Sequence, residues 1–382
     1  MVNDLTNYKG TVMVKKATNS ELMKENNKKL ILRLIMTEKY SRADIAKATG
    51  LTKAAVSIIT EDLLSCGIII ETESDYTGVG RRPTILSINK DRFFAVGVNI
   101  TRKNYEVGIL NLSGEVIISE KKIFSDKPKS LILDEICKTI NSQISSCAIP
   151  RSDILGIGIT SPGPVDYKNL KILTPPGFEA WHNTDIGYIK EKFDDINVNL
   201  ENVSNAHALY EKYYGKCTKS ANYMTVFIDR DGIGAGIVVN DALYRGASGL
   251  SNEFGHTTID MNGKKCMCGA CGCLERYASS YEILSGTEYS SWQEAVDTND
   301  TDLISREAQY LSAALISTVN LLDIDTVIIS GDMAYKGKTL CELIEKNLIC
   351  RTISKKKVPV FCSSGNSSVS VAASIIINDF FN

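Results

Sequence analysis

The stretch Asn252–Glu275, NEFGHTTIDMNGKKCMCGACGCLE, limits what this chain can become more than any other. One of only three histidines, His256, precedes four cysteines, Cys266, Cys268, Cys271 and Cys273, and two carboxylates, Glu253 and Glu275, bracket the group. Thiolates and a neutral imidazole at such intervals suit a tetrahedral Zn²⁺, which takes four soft or borderline donors at about 2.0–2.3 Å. Gly263, Gly269 and Gly272 allow the tight turns that aim several sulfurs at one point. The alternative is a glycine-rich thiol turn without metal, although sulfurs this crowded have little other use in a reducing compartment.

The rest of the sequence sets the clip inside a larger protein. A chain of 382 residues, 43% hydrophobic, has material for two or three domains and a sizeable core. Seven of its eleven cysteines are scattered singly, which argues for reduced thiols rather than a disulfide scaffold. No apolar run reaches the roughly 18–20 residues of a membrane span, and no signal peptide is visible, so a cytoplasmic location is expected. Charge is uneven within the net −2. Residues 1–90 hold fourteen Lys or Arg against ten Asp or Glu, which leaves the remainder acidic. A basic head on an acidic body suggests a nucleic-acid module joined to something else.

Residues 1–24 are polar and weakly patterned, an expected N-terminal tail or arm. From Glu25, Leu30, Ile31, Leu34 and Ile35 recur at helical spacing. Ser41 is expected to cap a second helix that turns Ile45, Ala46 and Ala48 inward and stops at Gly50. Thr52 is expected to cap a third, with Val56, Ile59, Leu63 and Leu64 inward. Helix, glycine turn, helix is the pattern of a DNA-reading helix-turn-helix, or of an ordinary helical hairpin. In the DNA-reading case Thr52, Lys53, Ala54, Ser57 and Ile58 project toward base edges or phosphates. Two β-rich runs, Ile68–Glu71 and Thr84–Ile88, then form a wing. Arg81 and Arg82, between Gly80 and Pro83, are expected either to enter a minor groove or to bind acidic groups on the next domain.

Beyond Phe93 the texture becomes a β-meander, then a helix over Ser130–Cys147, then a buried strand ILGIGIT running into SPGPVD. That order opens an α/β lobe whose ligands bind at strand ends. A second meander, TVFIDRDGIGAGIVVNDALYRG, suggests a second, related lobe facing the first across a cleft. A helix over Ala308–Leu322, strands over Thr326–Ser330 and Val358–Phe361 and a final Ala/Ile-rich helix complete the chain.

On these residues the chain resembles the ROK family (repressors, open reading frames, kinases), from about Glu25 to the C-terminus. The motifs that carry the resemblance are Glu253-x-x-His256, the run Cys266-x-Cys268-Gly-x-x-Gly-Cys273-Leu-Glu275, and Gly-Arg-Arg-Pro after a winged helix-turn-helix. The resemblance implies an α/β chain: a winged helix-turn-helix at 25–90, then a two-lobed, actin-like (ribonuclease-H-like) sugar-binding domain at 91–382 with a zinc clip. Lobe 1 would span about 91–203 plus the C-terminal helix, and lobe 2 about 204–365. It places structural Zn²⁺ on His256, Cys266, Cys268 and Cys273, with Cys271 a bystander or substitute. It places sugar contacts on Asn202, Glu253, His256 and Glu275, while Glu253 and Glu275 also suit a purely structural role beside the metal. The loop TPPGFEAW, which includes Gly177 and Trp181, departs from the family's usual sugar-covering segment.

Two departures bear on activity. The Asp that takes the proton of the attacking sugar hydroxyl in the family's kinases is Val203 here, and losing a positioned base typically costs about 10²–10⁴ in rate. The first phosphate loop reads Asn99-Ile100-Thr101-Arg102-Lys103, without its carboxylate or glycine. Gly232-Ile233-Gly234-Ala235-Gly236 still resembles a second phosphate loop, or serves packing. The expectation is a non-enzymatic, sugar-responsive repressor that binds palindromic double-stranded operator DNA as a homodimer or homotetramer. The alternatives are an ATP-dependent sugar kinase with residual activity, and a repressor that answers a sugar phosphate or a protein partner.

Overall fold

The computed structural model describes residues 20–73, 84–124, 127–230, 232–353, 355–365 and 367–382. The chain divides between Ser87 and Ile88 into two compact units, each described by itself.

The first unit holds three helices, Ser20–Thr37, Arg42–Thr49 and Lys53–Ser65, and a three-stranded sheet ordered Tyr40–Ser41, Thr84–Ile88, Ile69–Glu73. Ser41 caps the second helix in a reciprocal capping box with Asp44, and Gly50 ends it at φ 71°, donating its N–H to the Ala46 carbonyl. Thr52 caps the third helix by accepting from the Ala55 N–H. Ile31, Ile35, Ile45, Val56, Ile59, Leu63 and Leu86 are buried. Two details differ from the sequence pattern: Leu30 and Ala48 are exposed, and Leu32 is buried in their place. A narrow helix with few apolar positions leaves one register of the stripe as good as its neighbour, and packing decides. The first helix also starts before Glu25. Arg42 ties this unit together, donating through Nε to Thr60 Oγ1 and pairing with Glu71 at 2.7 Å. Arg81 and Arg82 lie outside the described residues.

The second unit repeats one topology twice. Its first sheet runs Val198–Asn202, Ile154–Ser161, Phe94–Ile100, Asn104–Asn111, Val116–Ile123, and its second runs Val360–Cys362, Thr326–Gly331, Tyr223–Asp229, Gly232–Val239, Ala242–Leu243. In each, a three-stranded antiparallel meander is extended by two parallel strands. Parallel strands are buried on both faces, which explains the uninterrupted apolar runs ILGIGIT and TVIISG. Each sheet has its own core, one including Val96, Ile109, Ile136 and Ile157, the other Val226, Leu311, Ile329 and Ile344.

Glycines set how closely helices approach these sheets. A Cβ on Gly97 or Gly158 would lie 2.0 or 2.2 Å from a carbonyl oxygen of the C-terminal helix Ser368–Phe381, which therefore lies directly on the first sheet. Gly234 and Gly236 do the same for the helix Val203–Tyr213, where a Cβ would meet Ser204 Oγ at 2.1 Å or its carbonyl at 2.5 Å. Packing thus accounts for this glycine run without a phosphate. The helix expected over Ala308–Leu322 begins earlier, at Thr301, because Asp300 accepts from the Leu303 N–H at 2.9 Å and caps it. Among the described residues no helix is long and apolar enough to cross a membrane.

Candidate functional site

The helix Val203–Tyr213 begins where the strand Val198–Asn202 ends, and Asn202 is its cap. Asn202 Oδ1 accepts from the Ser204 N–H at 2.9 Å, which fixes the amide with its NH₂ still able to donate to a ligand. Its fixed orientation comes from beneath. Glu201, almost fully buried, accepts from the Asn202 N–H at 3.0 Å, from Asn205 Nδ2 at 2.9 Å and from Arg245 Nε at 2.8 Å. Asn205 in turn accepts from Asn252 Nδ2 at 3.1 Å. Asn252, at φ 71°, immediately precedes Glu253. One polar chain therefore fixes both Asn202 and the start of the clip.

The clip is a small hairpin, held by bridges between Thr258 and Cys273 and between Lys265 and Cys271. His256, Cys266, Cys268 and Cys273 bring their ligand atoms within 4.8 Å of one another. Cys266 Sγ is 3.6 Å from His256 Nδ1, and Cys268 Sγ is 3.6 Å from Cys273 Sγ. Donors at 2.0–2.3 Å around a tetrahedral ion lie about 3.3–3.8 Å apart, so the spacing suits a metal of this kind. Cys271 is exposed and outside the group. The backbone N–H of Ala270, followed by the neighbouring sulfurs, holds the Cys268 thiol below its usual range.

A cavity of about 410 Å³ lies between the strand ends of the first sheet and the second sheet with its clip. Asn202, Glu253, His256 and Glu275 all line it. Glu275 Oε2 accepts from the Ile233 N–H at 3.3 Å and sits where a side chain on Gly232 or Gly255 would crowd it. Glu253 opens to solvent, yet enough protein surrounds it that burial raises its carboxyl above the usual range, opposed by His256 and reinforced by Glu275. Thr174 and Pro176 from the TPPGFEAW loop also line the cavity, whereas Trp181 is buried in an aromatic stack with Phe178 and Phe124.

Sequence reasoning missed several contributors. Asp229 adds a third carboxylate to the lining; Arg102, one of two cations the sequence placed beside the cleft, does line it, and its Nε donates to the Pro176 carbonyl at 3.1 Å. Glu201, Asn205, Arg245 and Asn252 act behind the cavity, spread over more than fifty positions with no shared spacing. In the first unit, Thr52, Lys53, Ala54 and Ile58 are exposed on or beside the third helix, and Ser57 is half-buried.

Residues 95–379 match the family model described as ROK family. The chain is 31% identical to the xylose repressor of Caldicellulosiruptor bescii, over 86% of this chain and 88% of that one. It is 25% identical to the DNA-binding transcriptional dual regulator NagC of Escherichia coli K12, over 86% and 85%. A crystal structure described as a ROK family transcriptional regulator, a homologue of the E. coli MLC protein, superposes with a TM-score of 0.76 at 25% identity, covering 94% of this chain and 97% of that one. The chain belongs to the ROK family.

Proposed function

We propose that this protein is a sugar-responsive transcriptional repressor of carbohydrate-metabolism genes, without kinase activity. The observation that carries the reading is the joining of four hydroxyl-binding groups and a metal-type cluster at one cavity through a shared residue, His256. Carboxylates and an amide NH₂ form paired bonds with vicinal hydroxyls, the recognition a sugar requires. His256 serves both sites: its Nδ1 lies 3.6 Å from the Cys266 sulfur, which leaves the other ring nitrogen free to serve a ligand in the cavity it lines. His256, Cys266, Cys268 and Cys273 hold Zn²⁺, which supplies structural closure, since four protein ligands leave no open position.

The first unit is the winged helix-turn-helix. Its third helix presents Thr52, Lys53, Ala54 and Ser57 to the major groove, and Arg81 and Arg82 contact the same duplex. One such head buries too little surface for high affinity, so two or four copies bind a palindromic operator. Bound sugar shifts the population toward an arrangement that does not fit the half-sites. A coupling of about 1–3 kcal/mol gives a 5–150-fold change in operator affinity. The names of the curated relatives, a xylose repressor and NagC, support this reading.

The test is titration of a fluorescent operator, selected from a random duplex pool, against xylose, glucose, N-acetylglucosamine and their phosphates. At least one should release the DNA; if none alters affinity, the induction mechanism is wrong. Arg102 in the lining favours a phosphorylated sugar as the second reading, which the phosphate arm of the panel decides.

A further inference from the structure

A second pair of cysteines lies apart from the clip. Cys341, on the helix Lys338–Arg351, and Cys362, at the end of the edge strand Val360–Cys362, have their sulfurs 3.0 Å apart. No third histidine, cysteine or carboxylate joins them in a metal-type group among the described residues. Their settings differ. Cys341 is buried and Cys362 is only half-buried. Gly337 closes over the pair: a Cβ there would lie 2.6 Å from Cys362 Sγ, so only glycine admits the sulfur this close to the turn before the helix.

We propose that Cys341 and Cys362 form a reversible redox site, oxidised by a peroxide to an intramolecular disulfide and restored by a thiol reductant. Cys362 attacks first, because it is the less buried residue of the two and its sulfur also takes a backbone hydrogen bond from Gly337. As a thiolate it accepts from the Cys341 S–H and from the Gly337 backbone N–H, and these bonds hold its thiol below the usual range against burial. The same S–H···S contact, then burial, holds Cys341 as a thiol. The Cys362 thiolate takes one oxygen from hydrogen peroxide: an S–O bond forms, the O–O bond breaks, and the departing hydroxide takes up a proton as water. The sulfur of Cys341 then attacks the sulfenic acid, its proton passes to the leaving hydroxyl, and a second water departs as the S–S bond forms. The two electrons lost by the cysteine pair have reduced one peroxide to two waters. Two thiols of a reductant reverse the step by exchange.

The site occupies a junction. The next residue, Ser363, donates its N–H to the Ile329 carbonyl at 2.8 Å and its hydroxyl to Glu211, and the chain then enters the C-terminal helix that lies on the first sheet. A crosslink here fastens the last strand of the second sheet to its flanking helix just before that crossing.

Treating the full-length, zinc-loaded protein with equimolar hydrogen peroxide, followed by alkylation, digestion and mass spectrometry, tests this. The expected product is a Cys341–Cys362 crosslinked peptide that disappears with dithiothreitol. In Cys341→Ser, Cys362 should accumulate as sulfenic acid and be trapped by dimedone; in Cys362→Ser, Cys341 should stay unlabelled at the same dose. Thermal melts establish that each variant folds, and Cys341→Ala replaces the serine variant if the buried hydroxyl is not tolerated. Absence of the crosslink in the folded protein, a crosslink to a clip cysteine instead, or equal dimedone labelling of Cys341 and Cys362 in the two variants would overturn the proposal.

Discussion

Val203 borders two cavities that have little in common. In front of it, the larger one presents Asn202, Asp229, Glu253, His256 and Glu275, groups able to hydrogen-bond hydroxyls. Behind it, a cavity of about 280 Å³ is lined, among the described residues, by uncharged side chains that include Asn99, His207, Phe227, Ser368 and Val371. Asn99, where the kinase phosphate loop has its carboxylate, is buried and accepts from Thr160 Oγ1 at 2.8 Å. His207 stacks on Phe227 with ring centroids 4.6 Å apart, and burial pushes its pKa down to about 4, so it is neutral at physiological pH. Phosphoryl transfer is driven by positioning and by charge placed around the phosphates. Among the described residues the rear cavity offers no carboxylate and no charge, whereas the front presents several groups able to hydrogen-bond hydroxyls. The contrast supports a fold that has kept recognition and lost chemistry.

The comparison is broken most forcefully at the clip. Stripping the metal with a chelator, or replacing Cys266 by Ser, should loosen His256, Glu253 and Glu275 together and abolish sugar binding, a loss beyond about 100-fold. Operator binding measured on the same sample should survive. If the sugar response persists after chelation, the metal site and the front cavity are not coupled. Single replacements at the front come next. Glu275→Gln or Glu253→Gln removes a charged hydrogen-bond partner, with an expected cost of about 1.5–3 kcal/mol, or roughly 10–150-fold in sugar affinity by calorimetry. The smallest effect is predicted at the boundary itself. Val203→Asp should leave an ATP-coupled assay at background, because a restored base still faces the neutral Asn99 and the uncharged rear lining. Turnover by that variant would show that the base alone was missing, and turnover by the unaltered chain would contradict the assignment as a non-enzyme.

The two supports of the front cavity show what a sequence makes visible. The cluster His256, Cys266, Cys268 and Cys273 falls within eighteen positions, and metal coordination restricts both residue type and spacing, so it could be read directly. The chain Arg245–Glu201–Asn205–Asn252 is equally specific in geometry, yet its members are ordinary polar residues united only by folding. Glu201 carried little signal, because its strand Val198–Asn202 reads VNLEN, with polar residues at three of five positions, and only folding buries the carboxylate against Arg245. The repeated meander was legible from strand texture and turn residues. Helix boundaries were less so: Thr301 was missed because its cap, Asp300, sits in a polar run that also contains Asp297 and Asn299, and only hydrogen bonding distinguishes them. The stripe of the first helix failed for a related reason, since Leu30 and Leu32 are equally apolar and only contact with the neighbouring helices selects between them.

The central claim is that one ligand in the front cavity and one duplex at the helical head bias the same equilibrium. Linkage makes this directly measurable, because the factor by which sugar weakens operator binding must equal the factor by which operator weakens sugar binding. Calorimetric titration of the panel's active sugar into the full-length protein, alone and saturated with its selected operator, gives both numbers. The account predicts a sugar dissociation constant raised about 5–150-fold by the operator, matching the loss of DNA affinity measured in the reverse titration. An identical dissociation constant in the two titrations would contradict it.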